Sequence, residues 1–176
     1  MATTLLFASV LAGCHKGEQA VAGVAQKAAN AEKKARATAS ALDRERAELS
    51  RIPLPVRAMY VDIHDPSQWQ NPFLAVGART IELRIILPDT QLGNFGNGTM
   101  LRPPGARRQE MQLRFSDLDK AVVAIPAGAW HYGRVIAVAE SPEAAPKSRP
   151  AVRRNLEKVI QELNGLGVVV EEWPSR

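Results

Sequence analysis

The chain has 176 residues, 45% hydrophobic, 23% charged and 5% aromatic, with 12 glycines, 12 prolines, one cysteine and a formal charge of +5. A single cysteine cannot pair within the chain, which excludes a disulfide-stapled miniprotein. High apolar content without a glycine period excludes collagen-like and wholly disordered chains, and the length fits one domain plus an appendage.

In chain order, Leu5 to Leu11 is a short apolar run, followed by Leu11-Ala12-Gly13-Cys14. No apolar run approaches the ~20 residues that a bilayer crossing needs. The four-residue segment resembles the lipobox of bacterial lipoproteins. That resemblance implies cleavage before Cys14, a diacylglycerol on its thiol and an acyl chain on the freed amine. Small residues let the extended segment enter the peptidase, and the thiol must follow the cut. No Lys or Arg precedes the apolar run, although a positive region is usual there. The expectation is a signal peptide over 1–13 and attachment to the cell envelope through Cys14, facing the periplasm. His15 stands where an Asp is associated with inner-membrane retention, so outer-membrane delivery is favoured if the host has two membranes.

From Gly17 to Arg51 there are 11 alanines, no proline and no aromatic residue. Alanine has the highest helix propensity, with Lys, Glu, Gln and Arg close behind. Glu32–Arg36, Asp43–Arg46 and Glu48–Arg51 are favourably spaced charge pairs, and Pro53 and Pro55 stop the helix. A heptad seam through Val21, Ala28, Ala35, Leu42 and Leu49 offers a site for helix–helix self-association through 17–50. The second seam, Val24 and Ala31, fails at Thr38 and Glu45. Residues 14–51 are therefore expected to be a lipidated cysteine followed by a solvated helical tether, and 52–176 a globular domain.

Within that domain Val56–Ile63 reads as a strand, and His64-Asp65-Pro66 through Pro72 as a turn-rich connection. Arg79–Leu87 alternates polar and apolar residues as a half-buried strand does, and Arg108–Phe115 alternates again as its partner. Residues 89–106, rich in Gly and Pro, read as a long loop. Within it Asn94–Gly98 lacks the lysine and the strand-to-helix setting of a phosphate loop. Asp117 and Asp119 suit the start of a short element, as caps rather than an acid–base pair. Arg134–Glu140 is a nearly continuous apolar run, fit for a strand covered on both faces. Pro150 opens a helix with Val152, Leu156, Val159, Ile160 and Leu163 on one face. Gly165 and Gly167 close it before a strand at Val168–Trp173, a βαβ unit. The fold class is α+β: an Ala-rich N-terminal helix, then a small mixed sheet with a helix packed on it.

Tyr132-Gly133-Arg134-Val135-Ile136, the helix, and Leu166-Gly167-Val168-Val169-Val170 together resemble the end of the periplasmic domain of ExbD/TolR proteins. There a Tyr-Gly begins the segment leading to a helix, and a Gly precedes the last strand. The resemblance implies an order of elements in the C-terminal unit and carries no residue role.

His15, His64 and His131 lack the spacing that presents a metal, and no cofactor is expected. His64-Asp65 could be a base with its carboxylate; followed by Pro66, it reads better as a turn. Trp130-His131-Tyr132 either lines a binding surface or contributes half-buried strand residues. Arg102, Arg107 and Arg108 form a small basic patch, too small for a nucleic-acid site. The candidate surface is thus Trp130, His131, Tyr132, Arg102, Arg107 and Arg108, with no catalytic residue assigned. The expected function is a non-enzymatic envelope lipoprotein binding a protein or cell-wall partner. The competing reading is a lipid-anchored hydrolase using His64 or His131.

Overall fold

A computed structural model describes residues 15–87 and 107–174, with side chains from residue 26 onward. Helix α1 runs His15–Leu49, β1 Phe73–Val76, β2 Ile81–Ile86 and β3 Arg108–Leu113. Helix α2 (Leu118–Val123), β4 (Val135–Glu140), α3 (Arg149–Gly165) and β5 (Val169–Glu172) complete the order. The chain divides between Asp43 and Arg44 into two compact units.

In the first unit α1 is a regular helix, as its alanine content demands, and residues 26–40 are exposed throughout. Glu32 and Arg36 pair at 2.5 Å. The second unit begins inside the helix rather than at residue 52. Leu49, 2% exposed, and Ile52 are core residues of that unit, because large aliphatic side chains gain more from burial than the alanines before them. Arg46 donates from Nε to the carbonyl of Gly165, placing a cation at the carbonyl end of α3, where the helix dipole favours it.

The sheet order is β3-β2-β1-β4-β5. β1 pairs antiparallel with β2 and β2 with β3, whereas β1–β4 and β4–β5 are parallel. The expected α+β class, mixed sheet and C-terminal βαβ unit are all present. One local expectation fails, and one strand has no counterpart in the sequence reading. Val56–Ile63 is not a strand but a short 3-10 turn at Arg57–Met59 followed by further turns. The central strand, β1, lies in Phe-Leu-Ala-Val, a run too short and too uniformly apolar to show a period.

One face of the sheet carries α3. Its buried residues Val152, Leu156, Val159 and Leu163 meet the strand positions that alternation turns that way, including Leu74, Val76, Leu83, Ile136 and Val138. α3 ends in a Schellman motif. Val168 N–H bonds the carbonyl of Leu163 and Gly167 N–H that of Asn164, both at 3.0 Å. Gly167 has φ +78°, the left-handed conformation the motif requires.

Candidate functional site

Among the described residues, the other face of the sheet is covered by aromatic side chains rather than by an α-helix. Tyr60, Trp69, Tyr132 and Trp173 form an aromatic layer over Phe73, Ala75, Val135 and Ala137. Trp69 is fully buried at its centre. Its ring lies 5.8 Å from Tyr60, 5.2 Å from Tyr132 and 5.4 Å from Trp173, in edge-on or tilted geometries that suit aromatic quadrupoles. The Trp69 indole N–H is satisfied by the carbonyl of Pro72 at 3.0 Å.

Two residues hold this irregular layer to the sheet. Asn71, 1% exposed, donates from Nδ2 to the carbonyls of Gly133 and Val135 and accepts the Tyr132 N–H on Oδ1, each at 2.8 Å. Gly133 has φ +83°, and a Cβ there would lie 2.8 Å from the Pro53 carbonyl and 2.9 Å from Pro55 Cα. The 53–55 strap thus crosses Gly133 where no side chain fits. Arg134 N–H bonds the Pro53 carbonyl at 2.8 Å.

A cleft of ≈ 170 Å³ opens beside this layer. Strand register builds its floor. Ala75 pairs with Ala139, and Val138 with Glu172, so Ala139 is aligned with Trp173 one step on. The row Ala75–Ala139–Trp173 therefore crosses the carboxyl ends of three parallel strands, where open α/β sheets commonly receive ligands. Phe73 completes the floor, and prolines form much of the walls. Trp173 is 6% exposed, and its indole Nε1–H is buried without a hydrogen-bond partner. Glu140, at the end of β4, and Arg149, at the start of α3, also line the cleft. Neither forms an ion pair with another described residue. Arg84 braces the wall. Its guanidinium sits 4.5 Å above the Phe73 ring and donates to the Pro66 carbonyl at 2.7 Å. Burial and the neighbouring Arg108 hold its pKa below the ordinary arginine value.

The residues singled out in the sequence are distributed differently. Trp130 and Tyr132, at 5% and 8% exposure, are core residues, not a surface. Burial pushes the Tyr132 phenol pKa up. His131 is exposed between them; partial desolvation and the charge of Arg107 lower its imidazole pKa. Arg107 and Arg108 are half-buried, each with a buried Nε lacking a partner. Arg102 and Cys14 lie outside the described residues, as do Asn94–Gly98 and the rest of the predicted 89–106 loop. His64 is exposed, and the carboxylate Oδ1 of Asp65 accepts the Ser67 N–H at 2.8 Å, the geometry of a turn. Asp117 precedes α2 without a side-chain capping bond, so the predicted cap is not formed there. Neither His64 nor His131 lines the cleft. Among the described residues no three His, Cys, Asp or Glu side chains are grouped to hold a metal. No described helix is long and apolar enough to cross a membrane.

Sequence reasoning passed over Asn71, Arg84, Glu140, Arg149 and Trp173. The signal for Arg84 was present, since it occupies the polar side of the alternating β2. For Trp173 and Asn71 there was no local signal, as both acquire their roles through distant pairing. Comparison with family models, with curated proteins and with solved structures finds no match. Fold and site define a class only: a small α+β module with a preformed, mostly apolar cleft and no histidine or metal constellation among the described residues.

Proposed function

We propose that this protein is a lipid-anchored component of the bacterial cell envelope whose α+β module binds a protein or cell-wall partner through the cleft, without chemistry of its own. The observation that carries the binding role is the cleft itself. An apolar floor and two opposite charges that form no ion pair with another described residue are what recognition needs. The Leu-Ala-Gly-Cys segment supports the anchor, and the exposed helix of residues 26–40 suits a spacer between anchor and module.

Two measurements test this reading. Expressed in a Gram-negative host from a start that includes a functional leader, the mature chain should begin at Cys14, carry acyl chains and partition into detergent. Cys14→Ser should abolish all three. Affinity capture from envelope extract should yield a partner with wild-type chain and lose it with Ala144→Trp, which fills the cleft from its rim. An unacylated mature chain defeats the localisation. Capture indifferent to Ala144→Trp defeats the assignment of the cleft.

A further inference from the structure

The cleft carries more than a general capacity to bind, because its two charged lining groups, Glu140 and Arg149, are opposite in sign and do not pair with each other. A cavity of 150 Å³ lined by aliphatic and aromatic side chains holds one benzene ring. At ≈ 170 Å³ this one accepts a single side chain of phenylalanine or leucine size over Phe73, Ala75 and Trp173. Arg149, the first residue of α3, adds a positive charge to the lining and can meet a ligand carboxylate. Glu140 supplies the opposite requirement, an acceptor for a ligand N–H or ammonium group. A plain carboxylic acid would leave Glu140 unanswered, and an amine would leave Arg149 unanswered.

We infer that the cleft is a binding site for an apolar α-amino acid carboxylate, either free or as the C-terminal residue of a peptide, with its side chain on Phe73, Ala75 and Trp173, its carboxylate toward Arg149 and its nitrogen toward Glu140. This rests on the reading of the cleft as the recognition site and adds the chemistry of what enters it. The two sources share side chain and carboxylate and differ at the nitrogen. A free amino acid presents an ammonium group, whereas a peptide presents a neutral amide N–H. Glu140 can serve both. A glutamine at that position would still accept from the amide but would lose its attraction for the ammonium group.

The test uses the full chain in detergent, labelled with ¹⁵N at the indole nitrogens of its three tryptophans, with the Trp173 signal assigned by Trp173→Phe. Probes are L-phenylalanine, Gly-Gly-Phe, L-phenylalaninamide and 3-phenylpropanoate. L-phenylalanine, Gly-Gly-Phe or both should move the Trp173 indole resonance, because that ring lines the cleft, and leave that of Trp69, which does not line it, in place. A dissociation constant on the order of a millimolar or tighter is expected for a ligand of about a dozen heavy atoms. Phenylalaninamide and phenylpropanoate should each bind about tenfold more weakly or worse, and Arg149→Ala should cost about tenfold or more, as for a charge-assisted hydrogen bond. Glu140→Gln separates the sources: it should weaken free phenylalanine and spare Gly-Gly-Phe. Thermal melts of Arg149→Ala, at an exposed position, and Glu140→Gln, at a half-buried one, should match wild type, so that lost binding is not lost fold. No shift of the Trp173 signal at 10 mM (about tenfold above that constant) from either carboxylate ligand overturns the inference, as does equal binding of the amide or indifference to Arg149→Ala. If these probes fail while partner capture still depends on Ala144, the ligand chemistry is wrong and the binding function stands. If capture is also indifferent to Ala144→Trp, both fall.

Discussion

Asn71 is the one buried polar residue among the described residues, and replacing it should be among the most damaging single changes to the module. Its amide orientation is fixed by its surroundings, since Nδ2 faces two carbonyls and Oδ1 faces an N–H. Asn71→Ala removes three hydrogen bonds, each worth about 0.5–1.5 kcal/mol net, and an unsatisfied buried donor costs about 1–3 kcal/mol. The losses overlap. The Gly133 carbonyl keeps the Val135 N–H at 2.8 Å, whereas the Tyr132 N–H has no second acceptor among the described bonds. A loss of about 2–4 kcal/mol is therefore expected, out of about 5–15 kcal/mol for a domain of this size.

The assay is urea unfolding followed by tryptophan fluorescence, since all three tryptophans lie beyond residue 51. The midpoint should fall with the slope unchanged. Asn71→Leu restores bulk without hydrogen bonds and should not rescue. Asn71→Asp separates packing from polarity. Its carboxylate can accept the Tyr132 N–H, but it faces the Gly133 and Val135 carbonyls, which raises its folded pKa above the ordinary aspartate value of about 3.9. The folded variant then holds a proton that the unfolded chain releases, so its deficit against wild type shrinks as pH falls through that folded pKa. A deficit for Asn71→Ala under about 0.5 kcal/mol, at the noise of ordinary surface changes, would refute the clasp. So would an Asn71→Asp deficit that does not change with pH.

Other expectations follow from the same packing. Leu156→Ala, on the buried face of α3 at 1% exposure, should cost about 2–5 kcal/mol in the same unfolding assay. Gly133→Ala combines a left-handed φ with a Cβ against the Pro53 carbonyl and should cost at least about 2 kcal/mol, displacing the strap. Glu162 has its pKa raised above the ordinary value of 4.5 by burial first, then by Asp119 and Glu45. Above 4.5 the folded chain holds that proton more tightly than the unfolded chain, so stability falls as pH rises through the window. Glu162→Gln should therefore stabilise at pH 7, with the advantage vanishing below pH 4.5, as thermal melts across that range would show. His131 has a lowered pKa, so its neutral form is favoured by folding. Its contribution is complete above pH 6.5 and is lost as pH falls below it, a dependence that His131→Gln should remove from the stability profile.

The elements that the sequence displayed were those with a period or a boundary residue. α3 has a five-residue apolar face, a proline at its start and a Schellman glycine at its end, and each is a local fact. β2 shows its alternation because Glu82 and Arg84 lie on the face less deeply covered. β4 was legible as a strand covered on both faces, and Val135–Val138 are fully buried. β1 has the same environment in only four residues, where no alternation can appear. Val56–Ile63 misled for the opposite reason. Its Val, Tyr and Ile suit a strand, but Val56 and Met59 are more than half exposed while Tyr60 turns into the aromatic layer. The strap is held by backbone contacts at Gly133 and Arg134, which composition does not report.

The site was less legible than the fold, and register explains why. Trp130-His131-Tyr132 attracted attention because three ring-bearing residues are adjacent in sequence. Adjacent residues diverge, however: two point inward and only His131 reaches solvent. The cleft instead draws on positions 66–75, 139–149 and 173–174, none conspicuous where it stands. Trp173 follows β5, and only the parallel pairings β1–β4 and β4–β5 place it beside Ala139 and Ala75. Parallel pairing needs a crossover, here the whole of α3 between β4 and β5, so no short window of sequence contains both sides of the site. What could have been anticipated is the location, because a βαβ unit with small residues near its strand ends leaves room just beyond them. Alanines at 75, 139 and 144 keep that space open, and larger side chains there should close the cleft before they disturb the fold.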